Sequence, residues 1–389
     1  MRTAPSFWPD KQPNRPSCYV HIPFCLSRCS YCAFSSSLYD RETADAYLDA
    51  LELEMRARPC FSRGHPPASV YLGGGTPSVL SSTQLDYLLA MLPEMAPGSE
   101  FTCELNPDSV DSEKLSLLRE RGVNRLSFGV QTFDAAGLAL LERRHDAAAA
   151  RRAVGLAAEM GFPFLSLDLI HAWPGQTPSM FARDLRQAID LGVTHLSCYS
   201  LSIESGTGLG KRIAAGSVTV EEKEGREFWD LAEAILGKSG FEHYETSNFA
   251  KPGRACRHNV EIWKGGEYAG YGASAHSHWR GRRFANAGDI HAYLDSLFQG
   301  GSAEVFSEQL PPEEKARECA VFWLRLFAGI NAEEFAVRTG FRFRDLYAGV
   351  LPELVEKGYV SIDSGQAGER FRVPPEYQPV LDSILAELL

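Results

Sequence analysis

The chain has 389 residues, 44% of them hydrophobic and 23% charged, the composition of a soluble globular protein too long for a single compact domain. Lys and Arg number 39 against 50 Asp and Glu, and the formal charge of −11 excludes a general nucleic-acid binder, which needs excess basic surface. No apolar run reaches the ~18 residues that cross a bilayer, and the first 16 residues carry four prolines where a signal peptide has its apolar core, so a cytoplasmic protein is expected, with peripheral membrane contact left open.

After an extended amino-terminal segment at 1–17, residues 18–22 alternate weakly and read as a strand delivering a cysteine-bearing loop. Residues 42–58 place Ala46, Leu48, Leu51, Leu53 and Met55 at helical spacing. A β-prone run at 69–72 leads into Gly73, Gly74, Gly75 and Thr76. The alternation continues as helix 82–92 and strand 100–105, helix 111–121 and strand 123–128, helix 146–160 and strand 163–170, then helix 178–190 and strand 194–201. Such a succession, joined by right-handed crossovers, predicts an α/β fold: a partial (β/α)6 TIM-like barrel over 18–245, including a helix at 219–237 and a short strand at 241–246. Residues 246–310, where Gly, Asn and aromatic residues recur, are expected to spread across the barrel mouth. Pro311 and Pro312 open a cap domain over 311–389, with helices near 313–327, 331–339 and 344–357 before a β-hairpin. Helices followed by a hairpin suggest a small winged-helix-like unit, a shape often attached to DNA; here its helices are acidic.

Cys25, Cys29 and Cys32 form C-x3-C-x2-C, and three thiolates on one loop can hold three corners of a cubane iron–sulfur cluster. The fourth corner is left for an exchangeable ligand, much as a catalytic metal keeps a vacant position. A zinc knuckle and incidental buried cysteines are the competing readings, and zinc would need a further donor, with His21 nearby. The other six cysteines, Cys18, Cys60, Cys103, Cys198, Cys256 and Cys319, scatter as in a reducing compartment. Working residues of an α/β barrel sit at the carboxyl ends of its strands. There the sequence places Gly73-Gly74-Gly75-Thr76-Pro77, then Glu104-Leu105-Asn106-Pro107, then Ser127-Phe128-Gly129-Val130-Gln131. The fifth strand carries a lone carboxylate, Asp168, inside the apolar run FLSLDLI, so Asp168 is either paired or functional.

The cysteine spacing, with Tyr31 directly before the last cysteine, resembles the radical S-adenosylmethionine (SAM) superfamily. The sequence YVHIPFC resembles more narrowly the family of the anaerobic coproporphyrinogen III oxidases, which includes a heme chaperone branch. The resemblance implies a [4Fe-4S] cluster on Cys25, Cys29 and Cys32, with SAM on its open iron. It implies that Gly74, Gly75 and Thr76 hold the SAM amino group and that Glu104 binds ribose. Gln131 faces the ligand, and Arg143, from a run that resembles L-x-R-x-H, is chosen over Arg144 as a contact. Asp168, Tyr19 and Tyr31 complete the cofactor-binding set. His171 to Thr177 resembles a G-x-P-G-Q-T turn, with Ala172 where glycine is usual.

Two features separate the branches. After Cys32 the oxidase branch continues with a further cysteine, whereas this chain has Ala33-Phe34; the oxidase branch also carries more sequence ahead of its first strand than the 17 residues preceding Cys18. Residues 257–263 resemble the chaperone branch's H-N-x-x-Y-W, with Ile262 in place of tyrosine. His258 is therefore the first heme-ligand candidate, with His276 and His278 behind it, and Arg254, Arg257, Arg280, Arg282 and Arg283 are near enough in sequence to meet propionates. A core histidine and solvated arginines are the plainer readings. The expectation is a heme chaperone that passes heme to an unknown acceptor protein, with an electron donor required if SAM is cleaved. The alternatives are a coproporphyrinogen III oxidase or other tetrapyrrole enzyme, and a regulatory module that uses the cap on nucleic acid.

Overall fold

The computed structural model describes residues 15–62, 64–220, 225–365 and 368–388. The expected amino-terminal segment falls mostly outside the described residues, as does 221–224 of the expected helix 219–237.

Six parallel strands form the centre: β1 (Ser17–Ile22), β2 (Ser69–Gly74), β3 (Glu100–Leu105), β4 (Arg125–Gln131), β5 (Phe164–His171) and β6 (His195–Ser200), paired in that order. The crossovers are α1 (Arg41–Ala57), α2 (Ser82–Met91), α3 (Ser112–Glu120), the short α4 (Ala135–Leu140) with α5 (Ala147–Glu159), and α6 (Pro178–Asp190). Their starts are set by side chains that satisfy otherwise unpaired amides: Asp40, Ser81, Asp111, Asp134, Asp146 and Thr177 each accept from the first turn. Side chains on a strand alternate between faces. Cys18, Val20, Ile22, Val70, Leu72, Leu126, Leu167 and Leu196 join the hydrophobic core and are fully buried. The alternate positions Tyr19, Tyr71, Glu104, Ser127 and Asp168 bond one another and form a polar inner face.

Beyond β6, α7 (Gly208–Ala214) and α8 (Gly225–Lys238) precede β7 (Glu242–Glu245) and β8 (Asn248–Ala250), which close that edge antiparallel. Residues 246–310 hold one helix pair and four further strands of the sheet. After α9 (Arg257–Trp263), strands β9 (Tyr268–Tyr271), β10 (His276–Trp279), β11 (Arg282–Asn286) and β12 (Glu304–Glu308), with α10 (Ile290–Phe298) before β12, continue the same sheet outward from β1. β9 pairs parallel with β1, and the rest follow antiparallel, so these residues widen the sheet, and the turn before α10 meets the cysteine loop where Ser35 Oγ donates to the Gly288 carbonyl at 3.1 Å. Gly, Asn and aromatic residues there form hairpin turns and strand faces.

The carboxyl-terminal unit has its own core around Trp323, Phe335, Phe343 and Phe371. It comprises α11 (Pro312–Trp323), β13 (Ile330–Asn331), α12 (Ala332–Thr339), helices Phe343–Leu346 and Leu351–Glu356, and strands β14 (Ser361–Gly365) and β15 (Gly368–Arg372). The helix expected at 344–357 is split because Pro352 lies in a first turn, where its missing N–H costs nothing. The hairpin gains a third strand, since β13 pairs with β15.

One buried carboxylate ties the added strands to the barrel. Glu54 of α1 accepts from Arg58 at 2.6 Å, the Asn286 amide at 2.7 Å, the Gly272 N–H at 2.8 Å and the Tyr293 hydroxyl at 2.7 Å. Beside it, the Tyr47 hydroxyl accepts from the Ala273 N–H at 2.9 Å and donates to the His21 carbonyl at 2.7 Å. Removing one partner of such a network strands the others in low dielectric. Glu54→Ala is expected to lower unfolding free energy by about 3 kcal/mol, and Glu54→Gln by roughly half of that, measured by urea unfolding.

Candidate functional site at the strand carboxyl ends

The cysteine loop leaves the end of β1 and is pinned at its base. Phe24 and Cys25 pair in parallel with Ser37 and Leu38, and the Tyr39 N–H returns to the Cys25 carbonyl at 2.8 Å. His21 braces the interior of the loop. Its Nε2 lies 3.0 Å from the Ser35 carbonyl, which can only accept, so Nε2 carries the proton and Nδ1 accepts from the Tyr19 hydroxyl at 3.0 Å. Both nitrogens are engaged, and burial lowers the pKa of His21, so it is a brace and not a further donor to the thiols. Among the described residues no three His, Cys, Asp or Glu side chains converge on a single-ion site. Burial pushes the Cys25 and Cys32 thiols above their usual range.

A hydrogen-bonded chain crosses the strand ends above the loop. The Thr76 hydroxyl contacts Cys25 Sγ at 3.7 Å and accepts from the Asn106 amide at 2.9 Å. Asn106 Oδ1 in turn accepts from Arg143 at 2.6 Å, and the same guanidinium donates to the Gly129 carbonyl at 2.5 Å and to Cys29 Sγ at 3.1 Å. Arg143 Nε is buried with no hydrogen-bond partner. Arg144 turns outward instead, its side chain 58% exposed and 3.6 Å from Asp108. Gln131 ends β4 at φ 69°, and its amide lies beside Gly129 with Asn106 and Arg143. Tyr31 packs against Leu141, Ile170 and Trp173.

The glycine segment is shaped by close approach. Gly74 has φ 110°, and a Cβ there would lie 2.6 Å from the His21 ring. Gly75 and Thr76 donate their N–H groups to the Ile22 and Phe24 carbonyls at 2.9 and 2.8 Å, which locks the segment to the loop base. Ala172 lies at φ 59°, a conformation that explains why glycine suits this turn; the Gln176 side chain accepts its N–H at 2.6 Å.

Two carboxylates line the inner face. Glu104 accepts from the Tyr71 hydroxyl at 2.6 Å and the Gly74 N–H at 3.2 Å, and Asp168 accepts from Ser127 at 3.2 Å. Burial pushes Glu104 up to about 7 against the help of Tyr71, and pushes Asp168 up to about 6 against the help of Ser197 and Ser127. Asn106 and Tyr71 are the members that sequence reasoning did not assign. Asn106 follows Glu104 at the end of β3 and Tyr71 shares the parity of Gly73, the signals that could have found them.

His258 does not join this site. It lies at the amino-terminal ends of the strands, 3% exposed, its Nδ1 2.8 Å from Ser69 Oγ and its ring 5.0 Å from that of Tyr71. Glu100 accepts the N–H groups of Arg257 and His258 at 3.1 and 3.0 Å and pairs with buried Arg125 at 3.0 Å. The motif thus closes the barrel floor, where His258 ties α9 to β2 and β3 through Ser69 and Glu100. His276 is exposed on an outer strand, and His278 lies against the carboxyl-terminal unit.

Residues 19–188 match the radical SAM superfamily, and residues 310–376 match the HemN C-terminal domain. The chain is 36% identical over 350 residues to the heme chaperone HemW of Bacillus subtilis, covering 88% of this chain and 92% of that one. It belongs to the HemW family of radical SAM proteins. The HemW of Escherichia coli is 38% identical over 265 residues, 67% of this chain and 69% of that one. Among solved structures, coproporphyrinogen III oxidase (HemN) from Escherichia coli, described as a radical SAM enzyme, superposes with a TM-score of 0.84 at 25% identity, covering 97% of this chain and 90% of that one. HemW membership accounts for the partial barrel, its cysteine loop and the small carboxyl-terminal domain together. Among the described residues no helix is long and apolar enough to cross a membrane.

The acidic inner face gives a pH signature. Between the ordinary Glu value of 4.5 and about 7, folded Glu104 keeps a proton that the unfolded chain has lost, so its contribution to stability falls as pH rises and is fully unfavourable above about 7. Glu104→Gln cannot ionise. Its stability relative to the parent should be flat below pH 4.5, rise between pH 4.5 and 7, and level off, as measured by thermal unfolding across that range. Parallel curves for the two proteins would contradict this assignment.

Proposed function

We propose that this protein is a cytoplasmic heme chaperone that holds a [4Fe-4S] cluster and SAM at the strand ends and passes heme to an acceptor protein. Cys25, Cys29 and Cys32 would hold three irons, and SAM would complete the fourth. When bound and reduced by an external electron donor, the cluster would supply the electron for cleavage of SAM. The chain's own residues bind and orient: Gly74, Gly75 and Thr76 offer backbone and hydroxyl groups beside Cys25, and Glu104 takes ribose hydroxyls. Gln131, Arg143, Asp168, Tyr19 and Tyr31 form the remaining wall and exclude water.

One observation carries the cofactor half of the reading. The chain from Thr76 through Asn106 to Arg143 links Cys25 to Cys29, and it ends in a buried cation with an unpartnered Nε. Such a cation suits thiolates and the negative charge they bring to a cluster. The heme half is supported by likeness to heme chaperones over 88% of the chain. A second reading, oxidation of coproporphyrinogen III, is favoured by the TM-score of 0.84 to that oxidase. Phe34, standing where the oxidase branch has a cysteine, favours the chaperone.

Anaerobic reconstitution is expected to give about four irons and four sulfides per chain, with an electron paramagnetic resonance signal that shifts on adding SAM. The protein should bind hemin and leave coproporphyrinogen III unconverted under reducing conditions. Robust decarboxylation would select the enzyme reading. Arg143→Ala should lower retained iron by at least about twofold while circular dichroism stays unchanged, because the variant removes the donor to Cys29 and leaves the fold's core intact.

A further inference from the structure

A buried carboxylate outside the cofactor wall holds the turn that leads into it. Asp184 lies midway along α6 and is 2% exposed. Its Oδ2 accepts from the Thr132 hydroxyl at 2.6 Å, and its Oδ1 accepts the Phe133 N–H at 2.9 Å. Both donors follow directly on Gln131, the last residue of β4. Gln131 has φ 69°, a left-handed conformation that costs a residue with a side chain and persists only where neighbours enforce it. Thr132 is fully buried, and its oxygen also accepts the Asp134 N–H at 3.0 Å. The turn is therefore folded around the carboxylate, and burial pushes Asp184 up to about 6 against the help of these two donors.

The turn runs straight into α4. Asp134 accepts the N–H groups of Ala136 and Gly137 at 2.9 and 3.3 Å and starts the helix. Glu142, left-handed at φ 55°, stops it, with the Glu142 N–H on the Ala139 carbonyl at 3.2 Å and the Arg143 N–H on the Leu138 carbonyl at 2.9 Å. This stop releases the chain at Arg143, whose guanidinium reaches Cys29 Sγ and Asn106. The carbonyls of Leu140 and Leu141 receive the Ser30 hydroxyl at 2.8 Å and the Ser30 N–H at 3.2 Å, and Ser30 stands between Cys29 and Tyr31. One short helix thus delivers a cation to a thiol and grips the loop that carries it.

A helix of six residues cannot hold itself in place. Its position comes from its attachments. On its side Gly137 presses on Trp173, where a Cβ would come within 2.6 Å of the ring. At its entry the attachment is Asp184, through Thr132 and Phe133. No apolar side chain at 184 could satisfy the Phe133 amide, and a buried amide left without an acceptor favours a rearranged turn.

We infer that Asp184 is a positioning residue for the cofactor site: through the 132–134 turn and α4 it sets Gln131, Arg143 and the Ser30 segment of the cysteine loop. The inference rests on the cofactor half of the reading above.

The test compares the full-length parent with Asp184→Ala, Asp184→Asn, Thr132→Val, Leu185→Ala, and the double variant Asp184→Ala with Arg143→Ala. Leu185 is the fully buried neighbour of Asp184 on α6, an apolar side chain that makes no hydrogen bond to the turn, so its variant loosens the same helix without cutting the tie. Amide hydrogen exchange is read on the cofactor-free protein; retained iron and the SAM-induced shift in electron paramagnetic resonance are read after anaerobic reconstitution. Asp184→Ala should speed exchange at least about tenfold at 132–143 and at Ser30 while the other strands keep parental protection. It should also retain at least about twofold less iron and respond more weakly to SAM. Asp184→Asn, which keeps an acceptor for Phe133, should lie nearer the parent, and Thr132→Val nearer Asp184→Ala. Leu185→Ala should lower thermal stability and retain parental iron. The double variant should lose less iron than the product of the two single losses, because both changes act on the same guanidinium. If Asp184→Ala unfolds, Asp184→Asn and Thr132→Val carry the test. Parental exchange at 132–143 in the folded variants, an iron loss in Leu185→Ala as large as that in Asp184→Ala, or losses that multiply in the double variant would overturn the positioning role and leave the cluster reading standing. A parent that takes up no cluster would overturn both.

Discussion

The guanidinium of Arg143 is the interaction on which the site depends. Burying a cation is costly unless it is matched by acceptors and by opposite charge. Its hydrogen-bond acceptors are a thiol, a side-chain amide and a peptide carbonyl, none of them a carboxylate. Its hydrogen bonds are thus met without a carboxylate, while its charge is felt by the loop sulfurs, Asp108 and Asp168. The same side chain fixes the carboxyl ends of β3 and β4 relative to the loop from β1, through Asn106, Gly129 and Cys29. Three loops that come from distant parts of the sequence thus share one fixed point.

Around that point the barrel is organised as two polar layers separated by strand length. At the amino-terminal ends, Glu100, Arg125, Ser69 and His258 form a closed floor whose carboxylate also caps α9. At the carboxyl-terminal ends, Glu104 and Asp168 sit with fewer donors and have raised pKa values. The contrast is one of satisfaction. Glu100 meets a guanidinium and two amides and is held below the usual carboxylate range, whereas the mouth carboxylates keep acceptor capacity for something else.

Much of this could be read from residue order. The apolar run FLSLDLI located β5 and made Asp168 stand out within it, and the expected helix starts lie within a residue of those of α1, α2, α3, α5 and α6. The cysteine spacing and the Gly73–Thr76 run identified the loop and its neighbour because few other structures require them. What escaped was information carried by contacts distant in sequence. Nothing local in 246–310 reveals that β9 pairs with β1, more than 240 residues earlier. His258 drew attention as an imidazole in a motif, yet its partner Ser69 is 189 positions away. The tautomer of His21, which decides what its ring can do, depends on the Ser35 carbonyl, which no pattern announces.

Widening the sheet beyond β1 also leaves β12 as an unpaired border whose Val305 and Phe306 are 70% and 45% exposed. A border strand of this kind can template another copy of itself. Here Glu304 and Glu308 flank Phe306 on one face, so two molecules meeting border to border would crowd four acidic groups together. Their pairing with Arg282 and Arg283 on β11 keeps those carboxylates fixed at the rim. Each carboxylate there is matched by an arginine, so what guards the margin is the cost of stripping water from these ion pairs when a second border docks.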